Sequence, residues 1–505
     1  MDDSRSMDRA RTGWTSWLTG VLVAVTVALW LLHYIHLAAD FPHGTPWVDP
    51  ARITDEGWYA GAALRHYLSG SWRLQGDFNP AVALPVFPVA AGALFHFTGV
   101  SAVALRAMNV SFTGAGLVVM WLLVMRYSTP LAAAGAIFLV ACSPFFYAYT
   151  RLGILEPLLT LEILLALLAA SYTGCGERRW KDAAWAVVTG ALLAAMVLTK
   201  TTGVCAYPAV FLLMASRCNY SPLKSVTNIA TTVATAGILL GAYLAIVKSA
   251  GLMLDFKNLF VINNDRVHAS IVLPTLKSMV REGVKTDSTL YICCAVVVLL
   301  ALILYRKTLS PLLLASLTGI IGFGLFITYH GWLMPRYYLT CIPLLAIALA
   351  VALEQVWHSK IMWTRVVAGS CAAAMMVACL SQIGTLVKWT LRPDYSYVEA
   401  GRTLYRVIDA DPEGNRVVLS AYGEQMALLT GERGVYVNTI YNTIGLREHI
   451  LANRPGWLIT FDHIDPKEAA ALDGIYAISL VRSAPAFGDD GIHTTMNLYK
   501  LTPLP

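Results

Sequence analysis

Charge is what this sequence has least of. Only 13% of its 505 residues are Asp, Glu, Lys or Arg and 57% are apolar, whereas ordinary soluble domains carry about 25% charged residues. With a positive mean hydropathy, that shortage excludes an ordinary soluble globular protein and implies one that crosses a membrane several times. Cysteine is missing where a staple would count: nine are present, but Cys379 is the last, so the polar C-terminal region has none. No disulfide framework or spaced metal-ligand set appears. Walker sequences, dinucleotide fingerprints, long internal repeats and low-complexity tracts are also lacking. The net charge of +6 leaves no basic patch for a nucleic acid, because the basic residues are scattered among short connections between apolar runs.

Those runs are what the sequence does have. Read as crossings of roughly 17–25 residues, they fall near 14–37, 103–125, 130–149, 155–173, 183–199, 203–216, 225–247, 289–305, 310–328, 336–354 and 361–386, about eleven in all. Arg5, Arg9 and Arg11 precede the first run, which is longer than a signal-peptide core of roughly 7–15 residues and reads as an uncleaved anchor. Alternate connections carry Arg126, then Arg178, Arg179 and Lys181, then Arg217 and Lys224, then Arg306 and Lys307, then Lys360. By the positive-inside rule the N-terminus is cytoplasmic and the C-terminus extracytoplasmic, as in a multi-pass protein of a plasma (inner) membrane.

Two long outer loops are expected, 38–102 and 249–287. Within the first, the apolar stretch Pro80–Thr98 is broken by Pro80, Pro85 and Pro88, and it reads as re-entrant or interfacial. The second mixes Phe256, Phe260 and Leu276 with Lys257, Arg266, Lys277, Arg281 and Lys285, a pattern for a helix on the membrane surface. After residue 387 the composition changes, with Asp394, Glu399, Asp409, Asp411 and Glu413 punctuated by Pro393 and Pro412. Residues 388–505 read as a separate soluble α/β domain. Its expected strands are 416–420, 434–438, 457–461, 476–481 and 494–501, with helices at 396–409 and 423–430. The fold class is thus an α-helical polytopic membrane protein with a small extracytoplasmic α/β domain, divided into 1–387 and 388–505.

The topology sends six ionisable residues to one outer face: Asp55, Glu56, Arg151, Glu156, Lys200 and Arg336. Taken singly, each has a plain explanation as an interfacial anchor. Glu156, followed by Pro157, sits where a carboxylate stabilises a helix N-terminus; Lys200 could snorkel or bind an anion; aromatic-belt placement accounts for Tyr337 and Tyr338. Anchors without a common purpose would be split between the two faces.

The order of these features resembles the polytopic GT-C glycosyltransferases, in particular the dolichyl-phosphate-mannose protein mannosyltransferase type and the bacterial aminoarabinose transferases. The resemblance runs over about residues 14–355. It rests on the Asp55-Glu56 loop, on Arg151 followed by Glu156, and on Pro335-Arg336-Tyr337-Tyr338. It implies transfer of a sugar from a polyprenyl-phosphate donor at the outer face, with Asp55 as base. The chain departs from the pattern at Asp77-Phe-Asn-Pro-Ala-Val-Ala-Leu-Pro85, where the family often has a basic or histidine residue before Pro-Pro-Leu; Asn79 stands in that stretch.

The residue types suit that chemistry. A lipid phosphate is a good leaving group, so cations that stabilise its departing charge matter more than a general acid; Arg151, Lys200 and Arg336 are the candidates. The attacking hydroxyl needs a carboxylate base, Asp55 first and Glu56 second, and a single displacement implies inversion at the anomeric carbon. Tyr59, Glu156, His330 and Tyr337 are the expected substrate contacts. A divalent cation is compatible with the two adjacent carboxylates, but no metal site is assigned; His33, His36, His43 and His330 share no ligand spacing. The expected partners are a polyprenyl-phosphate-linked sugar, membrane lipids and an acceptor that is a protein, a lipid or an envelope glycan. A transporter or flippase is the competing class, and it should show paired broken helices near the bilayer midplane.

Overall fold

Apolar runs become helices here where short polar residues cap them and prolines start them. The side chains of Ser101, Thr129, Ser143 and Asp287 each accept a first-turn N–H. In the computed structural model of the chain, the structure describes residues 2–47, 49–74, 76–174, 179–260, 272–330, 334–431, 435–440, 444–486 and 494–505. Of the residues named above, Arg178, Arg266 and Gly434 lie outside these.

The helices are α1 (Asp2–Leu32), α2 (Asp55–Ser69), α3 (Pro80–Ala83), α4 (Val86–Thr98), α5 (Ala102–Met125), α6 (Pro130–Cys142), α7 (Pro144–Thr150), α8 (Glu156–Ala170) and α9 (Arg179–Thr199). There follow α10 (Tyr207–Arg217), α11 (Pro222–Ser249), α12 (Met253–Phe260), α13 (Val272–Thr286), α14 (Ser288–Leu304), α15 (Pro311–His330), α16 (Cys341–Trp357) and α17 (Met362–Leu391). Among the described residues, seven helices are long and apolar enough to cross a membrane, or up to nine if each of two bent pairs is one crossing. Counting the bent pairs, nine of the about eleven expected runs are among these. The runs at 155–173 and 203–216 are helical, but α8 and α10 span only about 22 and 16 Å at 1.5 Å per residue, short of a hydrocarbon core about 30 Å thick. The run at 130–149 breaks at Ser143-Pro144, where α7 bends 68° from α6, because a proline cannot continue the hydrogen-bond ladder.

The two long connections behave as their sequences direct. Pro80–Thr98 forms α3 and α4, and α4 has 13 residues, too few to cross. Helix α13 turns 112° from α14, as a surface-lying helix must where it meets a crossing, and it packs on α15 and on the turn before α16.

Helix α17 continues to Leu391, so the composition boundary at 387 falls one turn inside it. Beyond lie α18 (Ser396–Asp409), α19 (Gly423–Thr430), α20 (Leu446–Asn453) and α21 (Pro466–Leu472), with strands β1 (Val417–Leu419), β2 (Val435–Val437), β3 (Trp457–Phe461), β4 (Tyr476–Ala486) and β5 (Thr494–Pro503). The sheet order is β2-β1-β3-β5-β4. β1 pairs parallel with β2 and β3, whereas β5 pairs antiparallel with β3 and β4. All five expected strands and both expected helices are present; α20 and α21 are additional. The domain docks through α19 on α2 and through α18 on the residues before it.

Candidate active site

Four chain reversals meet at one end of the helix bundle, and each delivers a charged side chain. Asp55 opens α2 and Glu156 opens α8, where helix dipoles favour carboxylates. Lys200 stands in extended backbone directly after α9. Arg336 lies in a single 3-10 turn, Pro335–Tyr338, just before α16.

Arg336 is the hub. One guanidinium nitrogen is 3.0 Å from an Asp55 oxygen, another pairs with Asp49, and its Nε is 3.7 Å from Glu156. Its backbone N–H also donates to Asp49, at 3.1 Å. Lys200 pairs with Glu156, and its ammonium lies 4.5 Å from the centre of the Tyr337 ring. Arg336, Glu156, Lys200 and Asp49 are all buried. The Thr54 hydroxyl donates to Asp55 at 3.0 Å. Burial, opposed by Arg336 and reinforced by Asp49 and Glu156, raises Asp55 above the ordinary carboxylate range. One turn on, burial and the Asp55 charge push the Tyr59 phenol well above its ordinary value.

A narrow cavity opens beside this cluster. Glu156, Lys200 and Tyr337 form its polar end, and Leu159, Phe323, Phe326 and Ile327 its apolar wall.

Three of the residues singled out in the sequence lie outside this cluster. Glu56 does not share the Asp55 cluster: it is fully buried, accepting from Arg106 Nε at 2.7 Å and Nη2 at 2.5 Å, from the Gly153 N–H at 2.7 Å and from Gln425 at 2.8 Å. Burial alone would raise its pKa, but Arg106 and these donors hold it below the usual range. Arg151 does not join Lys200 and Arg336. It donates to the carbonyls of Ile35 and His36, each at 2.7 Å, and to the Tyr147 hydroxyl, so it closes the carboxyl end of the first helical segment. Asn79 caps α3, its side chain accepting from the Ala81 N–H at 3.1 Å. His330 is buried and stacked on Phe326 at 5.5 Å, on the cavity side of α15.

Two partners went unnoticed in the sequence. Asp49 sits in an irregular stretch with no pattern to mark it. Arg106 stands one turn into a 24-residue apolar helix, and an arginine buried there is itself a signal for a counter-charge. Its Nη1 also donates to the carbonyls of Leu37 at 2.7 Å and Ala39 at 2.6 Å.

One other group has metal-binding potential among the described residues. Asp40, His43 and Asp394 bring ligand atoms within 4.8 Å of one another, at the seam with the C-terminal domain. Asp40 already accepts the N–H groups of Tyr397 at 2.8 Å and Val398 at 3.4 Å, and His43 is 3.0 Å from Asp394, so local pairing accounts for the cluster.

Residues 80–242 match the family model for dolichyl-phosphate-mannose-protein mannosyltransferase. No curated protein matches at the sequence level. Among solved structures, ArnT from Cupriavidus metallidurans bound to undecaprenyl phosphate superposes with a TM-score of 0.63 at 15% identity, covering 96% of this chain and 98% of that one. The archaeal oligosaccharyltransferase AglB from Archaeoglobus fulgidus, in complex with an inhibitory peptide and a dolichol-phosphate, superposes with a TM-score of 0.56 at 13% identity over 89% of this chain and 69% of that one. Likeness of this extent at such low identity is likeness of fold, and the resemblance expected from the order of motifs is upheld at that level: the chain is a polytopic membrane protein with the GT-C glycosyltransferase fold.

Proposed function

We propose that the protein transfers a sugar from a polyprenyl-phosphate donor to an acceptor hydroxyl, with inversion, at the extracytoplasmic face of the membrane. The observation that carries this reading is the juxtaposition of a largely buried carboxylate, Asp55, with Arg336 beside a cavity that is charged at one end and apolar along its wall. A lipid phosphate has that same division: its head needs cations and its tail needs hydrocarbon. The fold's likeness to a structure bound to undecaprenyl phosphate and to one with dolichol-phosphate supports the donor class.

In the proposed step, Asp55 takes the proton of the acceptor hydroxyl while that oxygen bonds to the anomeric carbon. The bond from that carbon to the phosphate oxygen breaks on the opposite face, and its electron pair leaves with the polyprenyl phosphate. Lys200 and Arg336 stabilise the departing negative charge. At the cavity mouth the phosphate oxygens take the place of Glu156 on Lys200. Tyr337, under the ammonium, holds it in line by a cation–π contact. Arg336 also supplies positive charge at Asp49 and Asp55. A transporter reading lacks support of this kind, since the charges gather at helix ends and not at broken helices near the bilayer midplane.

The test is an assay of the purified protein against a panel of polyprenyl-phosphate sugars, with mass spectrometry of the products. Transfer from one donor, with an inverted anomeric centre and abolished by Asp55→Asn in a folded protein, is expected. Transfer unaltered by Asp55→Asn would remove Asp55 as the base, and no transfer from any donor would remove the reading.

A further inference from the structure

The helix that carries Asp55 has no cap of its own. Thr54 occupies the N-cap position of α2, yet it makes no capping bond, because its hydroxyl is turned toward Asp55. The first N–H groups of a helix need partners from outside, and here one comes from the C-terminal domain. The Gly57 N–H donates to Gln425 Oε1 at 2.7 Å, and Gln425 Nε2 donates to Glu56 at 2.8 Å. Gln425 is 1% exposed. On the same side, the Tyr397 hydroxyl donates to the Ile53 carbonyl at 2.9 Å, two residues before Asp55.

The contact is close enough to constrain. A Cβ at Gly57 would collide with the Gln425 backbone, and one at Gly61 would come within 2.8 Å of the Glu424 carboxylate. Glycine at these two positions lets α19 lie directly on the backbone of α2. The seam is then clamped by charge: Glu424 pairs with Arg65, which is 3.6 Å from Asp77, and Asp77 is 3.0 Å from the buried His449. A domain that was merely tethered would need none of this complementarity.

We infer that Gln425 is a positioning residue, capping α2 from the C-terminal domain so that Asp55 is held against Arg336. An amide suits the position because it accepts an N–H with one atom and donates to a carboxylate with the other. Glutamate there would face Glu56 with like charge, and methionine would leave the Gly57 N–H without its partner. The consequence for catalysis rests on the reading of Asp55 as the base; the capping itself does not.

The experiment uses the full chain in detergent or nanodiscs with Gln425→Met and Gln425→Glu. Both variants should lose between about tenfold and about a hundredfold in kcat, the scale of a displacement near 1 Å at a reacting group, with the donor KM changed less than about twofold. Amide exchange should rise in peptides covering residues 53–60 while β3 keeps its protection. Unchanged kcat with unchanged exchange at 53–60 would overturn the inference. So would loss of protection throughout β3 and α19, which would make Gln425 a support of the domain and not of α2. If Gln425→Met frees residues 53–60 but Asp55→Asn remains active, the cap stands and the assignment of Asp55 falls.

Discussion

The Asp55 carboxylate and the Arg336 guanidinium meet at 3.0 Å, with Asp49 on another nitrogen of the same guanidinium. A planar fork can hold two carboxylates in fixed directions, and a lysine ammonium cannot reproduce that geometry. Arg336→Lys should therefore keep the charge but lower kcat by about a hundredfold or more, the scale of losing one oriented transition-state donor. Single-turnover kinetics at saturating donor, compared with the wild-type chain, would measure it. A loss confined to donor KM would show that Arg336 binds without orienting.

Proton transfer to Asp55 has a pH signature. Burial, against the pull of Arg336 and with Asp49 and Glu156 adding to it, raises the Asp55 carboxyl above its ordinary position. The ionised form is the working base, so activity should fall as pH drops through this raised pKa, with unit slope. The acid limb of the kcat profile should accordingly lie above about pH 3.9, the value of an unperturbed aspartate. A profile flat to below that pH would exclude this carboxyl as the base.

Glu56 and Arg106 make a different kind of pair. Both are buried, and the bidentate bond leaves each dependent on the other. Removing one partner strands a charge, which costs about 3–5 kcal/mol, whereas removing both is much cheaper. Glu56→Leu and Arg106→Met should each lower the thermal midpoint sharply, and the double variant should recover part of the loss. Because the folded state depresses the Glu56 pKa, its stabilising effect is full above the unfolded value of about 4.3 and is lost as pH falls through the lower folded value. Unfolding followed by tryptophan fluorescence at several pH values would test both points.

The sequence disclosed most of this architecture where the physics is local. A short run rich in β-branched and aromatic residues directly after Pro455-Gly456 marks β3, and apolar length marks α5, α11 and α15. The gathering of Asp55, Glu156, Lys200 and Arg336 at one end followed from loop charge alone. What it could not disclose is which neighbour each charge takes. Asp55 and Glu56 are adjacent in the chain, yet as the first two residues of a helix they project about 100° apart, one toward Arg336 and the other toward Arg106. Arg151 looked like a phosphate ligand by its spacing to Glu156, but the turn between α7 and α8 directs it to the end of α1. The Gln425 contact joins segments far apart in the chain and carries no local pattern at all.

That difference between Arg151 and Lys200 gives the last test. Lys200 lines the polar end of the cavity, while Arg151 is engaged with the Ile35 and His36 carbonyls. If the donor phosphate docks in the cavity, Lys200→Met removes a contact made in both ground and transition states, so donor KM should rise about tenfold or more, with a smaller effect on kcat. Arg151→Gln should leave donor KM within about a factor of two and lower thermal stability by only about 0.5–1.5 kcal/mol, the net worth of a hydrogen bond to exposed carbonyls that water can replace. Titration of each variant with the bare polyprenyl phosphate separates binding from turnover. Weakened binding in Arg151→Gln at full stability would move the phosphate site from α8 and α9 to the junction of α1 and α7, and the role of Lys200 would have to be withdrawn.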